Sequence, residues 1–161
     1  FGGRLLYPVH ALAVMSAKHR LAGRSVLDIG ALADEPLLLL HREFGSRAWF
    51  YAAAQVAHFK PRVRLESAAP ETLVQLAAAD YGVAILASTV VIRGIDLRVL
   101  PIVQNGASLG RWSMIGWNTQ RQLPTYAERF VEELRAHVRA AHPGKEFLKR
   151  APALTRPKRP K

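Results

Sequence analysis

The organisation of this chain turns on residues 66–86, which read Glu66-Ser67-Ala68-Ala69-Pro70-Glu71-Thr72-Leu73-Val74-Gln75-Leu76-Ala77-Ala78-Ala79-Asp80-Tyr81-Gly82-Val83-Ala84-Ile85-Leu86. Just upstream, Val63 and Leu65 alternate with Arg62, Arg64 and Glu66, the period of a half-buried strand. Pro70 suits the first turn of a helix, where its missing N–H costs nothing, and Leu73, Leu76 and Ala77 fall on one face. Gly82 breaks that helix, and residues 83–86 are an apolar run of strand length. Strand, helix and buried strand in succession make an α/β unit. The same residues admit a second reading, with 72–83 as the first helix and glycine turn of a helix-turn-helix. The next helix would then have to present polar side chains to base edges. Instead Ala84-Ile85-Leu86-Ala87 and Thr89-Val90-Val91-Ile92 are apolar and β-branched, so the DNA-reading alternative over 72–92 is rejected.

The alternation extends in both directions. Residues 5–16 are mostly apolar and read as a buried strand interrupted early by Pro8. Ser25 is expected to cap a short helix over 26–33, with Asp28 near its positive end. Leu37-Leu38-Leu39-Leu40, bounded by Pro36 and His41-Arg42-Glu43, has the abrupt ends of a central strand covered on both faces. Ser46 is expected to cap and open a helix to about His58, with Trp49, Phe50, Ala53, Val56 and Ala57 at helical spacing. Residues 97–103 and 112–117 read as two further strands. Pro124 starts a last helix, with Phe130, Leu134 and Val138 on its apolar face. The whole is α/β with a mixed sheet.

Charge is unevenly placed. The 161 residues carry a formal net charge of +11, and residues 142–161 hold seven basic side chains against Glu146. That segment shows no convincing periodicity and is expected to be a disordered basic tail. Its end, Arg156-Pro157-Lys158-Arg159-Pro160-Lys161, could touch phosphates without sequence preference, although a solvated terminal tail is the better account. Zero cysteines exclude disulfides, thiolate metal sites and cysteine catalysis. No apolar run approaches the roughly 20 residues of a membrane-spanning helix. Phe1-Gly2-Gly3-Arg4 lacks an initiator Met and a signal-peptide layout, and is read as a truncated start.

Catalytic signatures are missing. His137 and His142 stand about 140° apart around a helix, too far to chelate one ion from one face, and no HExxH occurs. There is no GxSxG elbow, P-loop or GxGxxG, so no metal or cofactor is expected. The nearest anion cradle is Phe44-Gly45-Ser46-Arg47, where free amides of a helix's first turn could meet a carboxylate beside Arg47. An ordinary strand-to-helix turn accounts for the same four residues.

Residues 66–86 resemble the effector-binding domain of LysR-type transcriptional regulators, which has a strand, a polar loop, a helix ending in a small-residue glycine turn, and an apolar strand. Residues 14–22, with Lys18-His19-Arg20-Leu21-Ala22, and residues 29–40, with Asp34-Glu35-Pro36, are similar to the strand, His-x-Leu-Ala turn, short helix and strand before it. The likeness runs over about 9–141. It departs at Asp80-Tyr81, where the family favours Gly and a small apolar residue, and at Ala87-Ser88, in place of a common Pro.

The resemblance implies a two-lobed fold of the periplasmic-binding-protein type II kind. Residues 1–16 would be a crossover strand from a truncated first lobe and 17–110 the second lobe. Residues 111–141 would return to the first lobe with a closing helix, and 142–161 would be the tail. It also implies effector contacts at Phe44, Gly45, Ser46, Arg47, Ser67, Thr72 and Ala87, with a small organic anion as ligand. The full protein would be a cytoplasmic homodimer or higher homo-oligomer that touches DNA only through a separate winged helix-turn-helix and catalyses nothing. A solute-binding lobe of a transport system is the alternative, and a small α/β enzyme ranks last because no nucleophile, base and orienting group converge.

Overall fold

The computed structural model describes residues 2–157. Strand β1 (Gly2–Ser16) is longer than its apolar run, because its two halves belong to different ladders. From Gly2 to His10 it pairs antiparallel with β8 (Gly110–Trp117). From Ala11 onward it lies between β5 (Val83–Ala87) and β6 (Leu97–Gln104). Pro8 closes a register shift in the β8 ladder, the kind of irregularity that tolerates a residue without an N–H. The sheet order is β2 (Leu27–Asp28), β6, β1, β5, β3 (Leu37–Leu40), β4 (Val63–Ser67), with β7 (Ala107–Ser108) on β6 and β8 on β1. Parallel pairs β3–β4, β3–β5 and β2–β6 combine with antiparallel ones, so the sheet is mixed as expected.

The four leucines of β3 are all buried because each face of the sheet carries a helix. Leu37 and Leu39 pack with Phe50 and Ala53 of α1 (Gly45–Val56), together with Ala13, Met15 and Leu100. Leu38 and Leu40 face the other way, onto Leu73, Val74 and Ala77 of α2 (Pro70–Ala78). Beyond α2 the left-handed residue is Asp80 (φ 58°) rather than Gly82. Gly82 is required for a different reason: a Cβ there would stand 2.5 Å from the Pro36 carbonyl oxygen, which accepts the Val83 N–H. The segment after Gly82 is strand β5, as its β-branched composition indicates.

Three expectations are corrected. Ser25 caps no helix. Leu27 and Asp28 instead extend along β6, and the Asp28 carboxylate accepts from the Gly30 N–H at 2.9 Å to start a single 3-10 turn, Ile29–Leu32. Ser46 lies inside α1, whose cap is the backbone of Phe44 without a side-chain bond. In α3 (Thr125–Ala140) the buried residues are Val131 and Val138, while Phe130 is 59% exposed beside Tyr126. One position is about 100° of helix, enough to move Phe130 off the inward face. The segment after α3 is described as far as Pro157. Gly144 (φ 78°) lets the chain pass against Ser88, and Phe147 is buried in a 3-10 turn, Lys145–Lys149. Arg150 donates to the Val99 carbonyl at 2.9 Å and the Ser108 hydroxyl to that of Pro152 at 2.6 Å. Each anchor is a contact distant in sequence, which periodicity cannot register. The phosphate-contact reading of Lys158, Arg159 and Lys161 lies outside the described residues.

The turn at residues 18–22 is fixed electrostatically. The His19 ring accepts the Leu21 N–H at 3.2 Å, and buried Glu35 pairs with Arg20 at 2.5 Å and His19 at 3.3 Å.

Candidate functional site

Strands β4, β3 and β5 run parallel, so their carboxyl ends open on the same edge of the sheet. In α/β folds that edge is where ligands settle. β3 ends at Leu40 and leads into α1, β4 leads into α2, and β5 passes through Ala87 to Thr89 and Val90. Against these ends stand Val9 of β1 and Arg111, Trp112 and Ser113 of β8, lining an open cavity of about 390 Å³. Its wall is completed by Phe44, Ser46, Trp49 and Pro70.

Of the residues expected at the site, Phe44, Ser46 and Ala87 line this cavity. Gly45 opens α1 beside it without forming the wall. The Ser67 hydroxyl is engaged locally, accepting the Ala69 N–H at 3.0 Å to close the loop before α2. Thr72 is exposed on α2 and away from the wall, which Pro70 forms instead.

Arg47 turns inward and is consumed by the fold. Its guanidinium donates to the Leu40 carbonyl at 3.0 Å, to the Glu66 carboxylate at 2.6 Å and to the Tyr51 hydroxyl at 3.2 Å. The hydrogen bond from Arg47 holds the Glu66 carboxyl below the usual range, and the same bond raises Arg47. Arg47 therefore ties α1 to the ends of β3 and β4. Replacing it with Met, which keeps the stem and removes the donors, should destabilise the chain by about 1.5–3 kcal/mol, the scale of a hydrogen bond from a charged group. Urea unfolding measures this, and an unchanged midpoint would mean that Arg47 carries no structural role. The exposed side of Glu66 adds little, because water screens that pair.

Sequence reasoning missed Trp49, Arg111 and Trp112. Trp49 shares the helical spacing of Phe50, yet Phe50 takes the core and Trp49 the cavity. Arg111 stands over the Trp49 ring, 5.9 Å from its centroid. Trp112 lies under Arg156 at 5.1 Å, so the C-terminal segment reaches the cavity wall from behind. The only local signal was alternation in 110–117, which marks an outward side chain without saying what it meets. Beside the cavity, the His10 backbone N–H donates to the Ser88 hydroxyl at 3.0 Å and the His10 carbonyl accepts the Ser88 N–H at 2.9 Å. Burial pushes the His10 ring's pKa down.

The model of the LysR substrate binding domain matches residues 1–139. Among solved structures, the regulatory domain of CcmR from Synechocystis PCC6803, in complex with 2-PG, is similar, with a TM-score of 0.72 and 24% identity over 85% of this chain and 66% of that one. The LysR family regulator HinK of Pseudomonas aeruginosa gives a TM-score of 0.69 and 21% identity, over 87% of this chain and 49% of its own. The effector binding domain of QuiR, in complex with shikimate, gives 0.69 and 15%, over 88% of this chain and 66% of its own. The chain thus spans 66% or less of these relatives. At such identities the likeness establishes the fold, the type II periplasmic-binding-protein arrangement. No match is found among the curated proteins.

Proposed function

Because this chain belongs to the LysR substrate-binding domain family, we propose that it is the sensing part of a transcription regulator, taking a small organic anion at the cavity between β8 and the start of α1. The observation that supports this reading is the convergence of three parallel strand ends and Arg111 on one cavity. Cavities of this size hold small ligands. The family match favours a regulator over a transport-type solute-binding lobe. In this reading β1 carries the crossover: its first half, β8 and α3 belong to the first lobe, and residues 17–110 form the second. A ligand bridging β8 and α1 would bias the angle between the lobes, which is how occupancy becomes a signal. Of the residues expected from the resemblance, Phe44, Ser46 and Ala87 remain proposed contacts. Gly45 offers backbone amides. Arg47, Ser67 and Thr72 are supports or neighbours of the site.

The remaining features follow from the family. The regulator is proposed to act as a cytoplasmic homodimer, for which Tyr126 and Phe130 on α3 offer exposed apolar surface, to reach DNA through a separate domain, and to perform no catalysis. The test is thermal melting of the chain with a chemically varied panel of small organic anions, 2-PG and shikimate included. A true ligand at a hundred times its Kd adds about 2.7 kcal/mol of stability, a shift of several degrees. A panel that leaves both melting and tryptophan emission unchanged would overturn the reading.

A further inference from the structure

On the reading that this cavity takes an organic anion, we infer the ligand's class: a monocarboxylic acid with an aromatic or branched apolar body, its carboxylate held by Arg111. Charge argues first. Among the described residues lining the cavity, Arg111 is the single ionised side chain, and no carboxylate opposes it. Of the two other nearby guanidiniums, Arg47 is already shared among Glu66, Leu40 and Tyr51, and Arg156 lies over the Trp112 ring outside the cavity lining. One free guanidinium matches one carboxylate in a two-pronged pairing.

The wall argues second. Trp49, Trp112 and Phe44 present rings, and Leu40 and Val9 present aliphatic surface. Arg111 is held over Trp49 and so stands beside this apolar surface rather than apart from it. A flat apolar body against the rings would place its acid group within reach of the guanidinium. The wall's side-chain hydroxyls are Ser46, Thr89 and Ser113, of which Ser46 is only 8% exposed. A polyhydroxylated or phosphorylated acid would leave several polar groups unpaired against hydrocarbon, and each costs binding energy.

The experiment titrates the chain with phenylacetate, phenylacetamide, shikimate and 2-PG, reading calorimetric heats and tryptophan emission. Phenylacetate is expected to bind at least about tenfold more tightly than phenylacetamide, which lacks the charge-assisted pair. It should also bind more tightly than shikimate and 2-PG, whose hydroxyls or phosphate would stand unpaired against hydrocarbon. Arg111→Gln should weaken phenylacetate by about tenfold or more, and Arg111→Lys by less. Arg111 is exposed and, among the described residues, pairs with no acidic group, so both variants should melt as the parent does. Shikimate or 2-PG binding more tightly than phenylacetate would overturn the ligand class while leaving the sensing role standing. Parental affinity for phenylacetate in Arg111→Gln would overturn the anchor. Silence from all four compounds together with the wider panel would remove the sensing role as well.

Discussion

Phe50→Ala is expected to lower the free energy of unfolding by about 3–5 kcal/mol, as deletion of a fully buried aromatic ring does. Phe50 is 0% exposed and meets Tyr51 and Phe59 edge to face, each with ring centroids 6.4 Å apart. It lies where α1 presses on Leu37, Leu39 and Met15. The hole left by the ring could not be refilled by β-strand side chains already committed to both faces. Because α1 also carries Phe44, Ser46 and Trp49 to the cavity, the variant should lose ligand-dependent stabilisation along with stability. Phe50→Leu should recover much of the loss. Urea unfolding of the two variants makes the comparison, and a loss below about 1 kcal/mol for Phe50→Ala would place the centre of the core elsewhere.

Gly110→Ala should cost about 3 kcal/mol, the upper end of what overpacking usually costs. Gly110 begins β8 opposite His10, and a Cβ there would stand 2.2 Å from the Val9 carbonyl oxygen and 3.0 Å from the His10 Cα. Both atoms are backbone and cannot rotate away, so the strands themselves must part. The pair that would separate carries Val9 and Arg111, which face the cavity. Gly23→Ala is the control, since a Cβ there meets nothing within 4 Å. Thermal and urea unfolding should leave Gly23→Ala within about 0.5 kcal/mol of the parent. Equal stability of the two alanine variants would show that the β1–β8 crossing has slack.

The anion panel asks whether the cavity is used at all. The Arg111 variants ask which chemistry it selects. Arg47→Met separates both from the scaffold, because its expected loss is of stability.

What the sequence determined by itself was the local pattern and the family. Val63 and Leu65, Pro70 with Leu73 and Ala77, and the four leucines at 37–40 each carry their burial in their spacing, and the structure places them as that spacing demands. Spacing works there because each position meets a helix lying directly over its own face of the sheet, α1 over Leu37 and Leu39 and α2 over Leu38 and Leu40. It fails where the partner is distant in the chain. Asp28 rather than Ser25 starts the 3-10 turn because Leu27 is drawn into a ladder with Ile102. Phe147 and Arg150 hold the basic segment only because Val99 and Ser88 are there to receive it. Arg47 reads as a ligand arm until β4 brings Glu66 to it, and Arg111 stands out from its neighbours only once α1 brings Trp49 beneath it. Burial periodicity is written into each segment, but which charge is spent on the fold and which is left for a ligand is set by the meeting of segments far apart in sequence, and only the tertiary structure decides it.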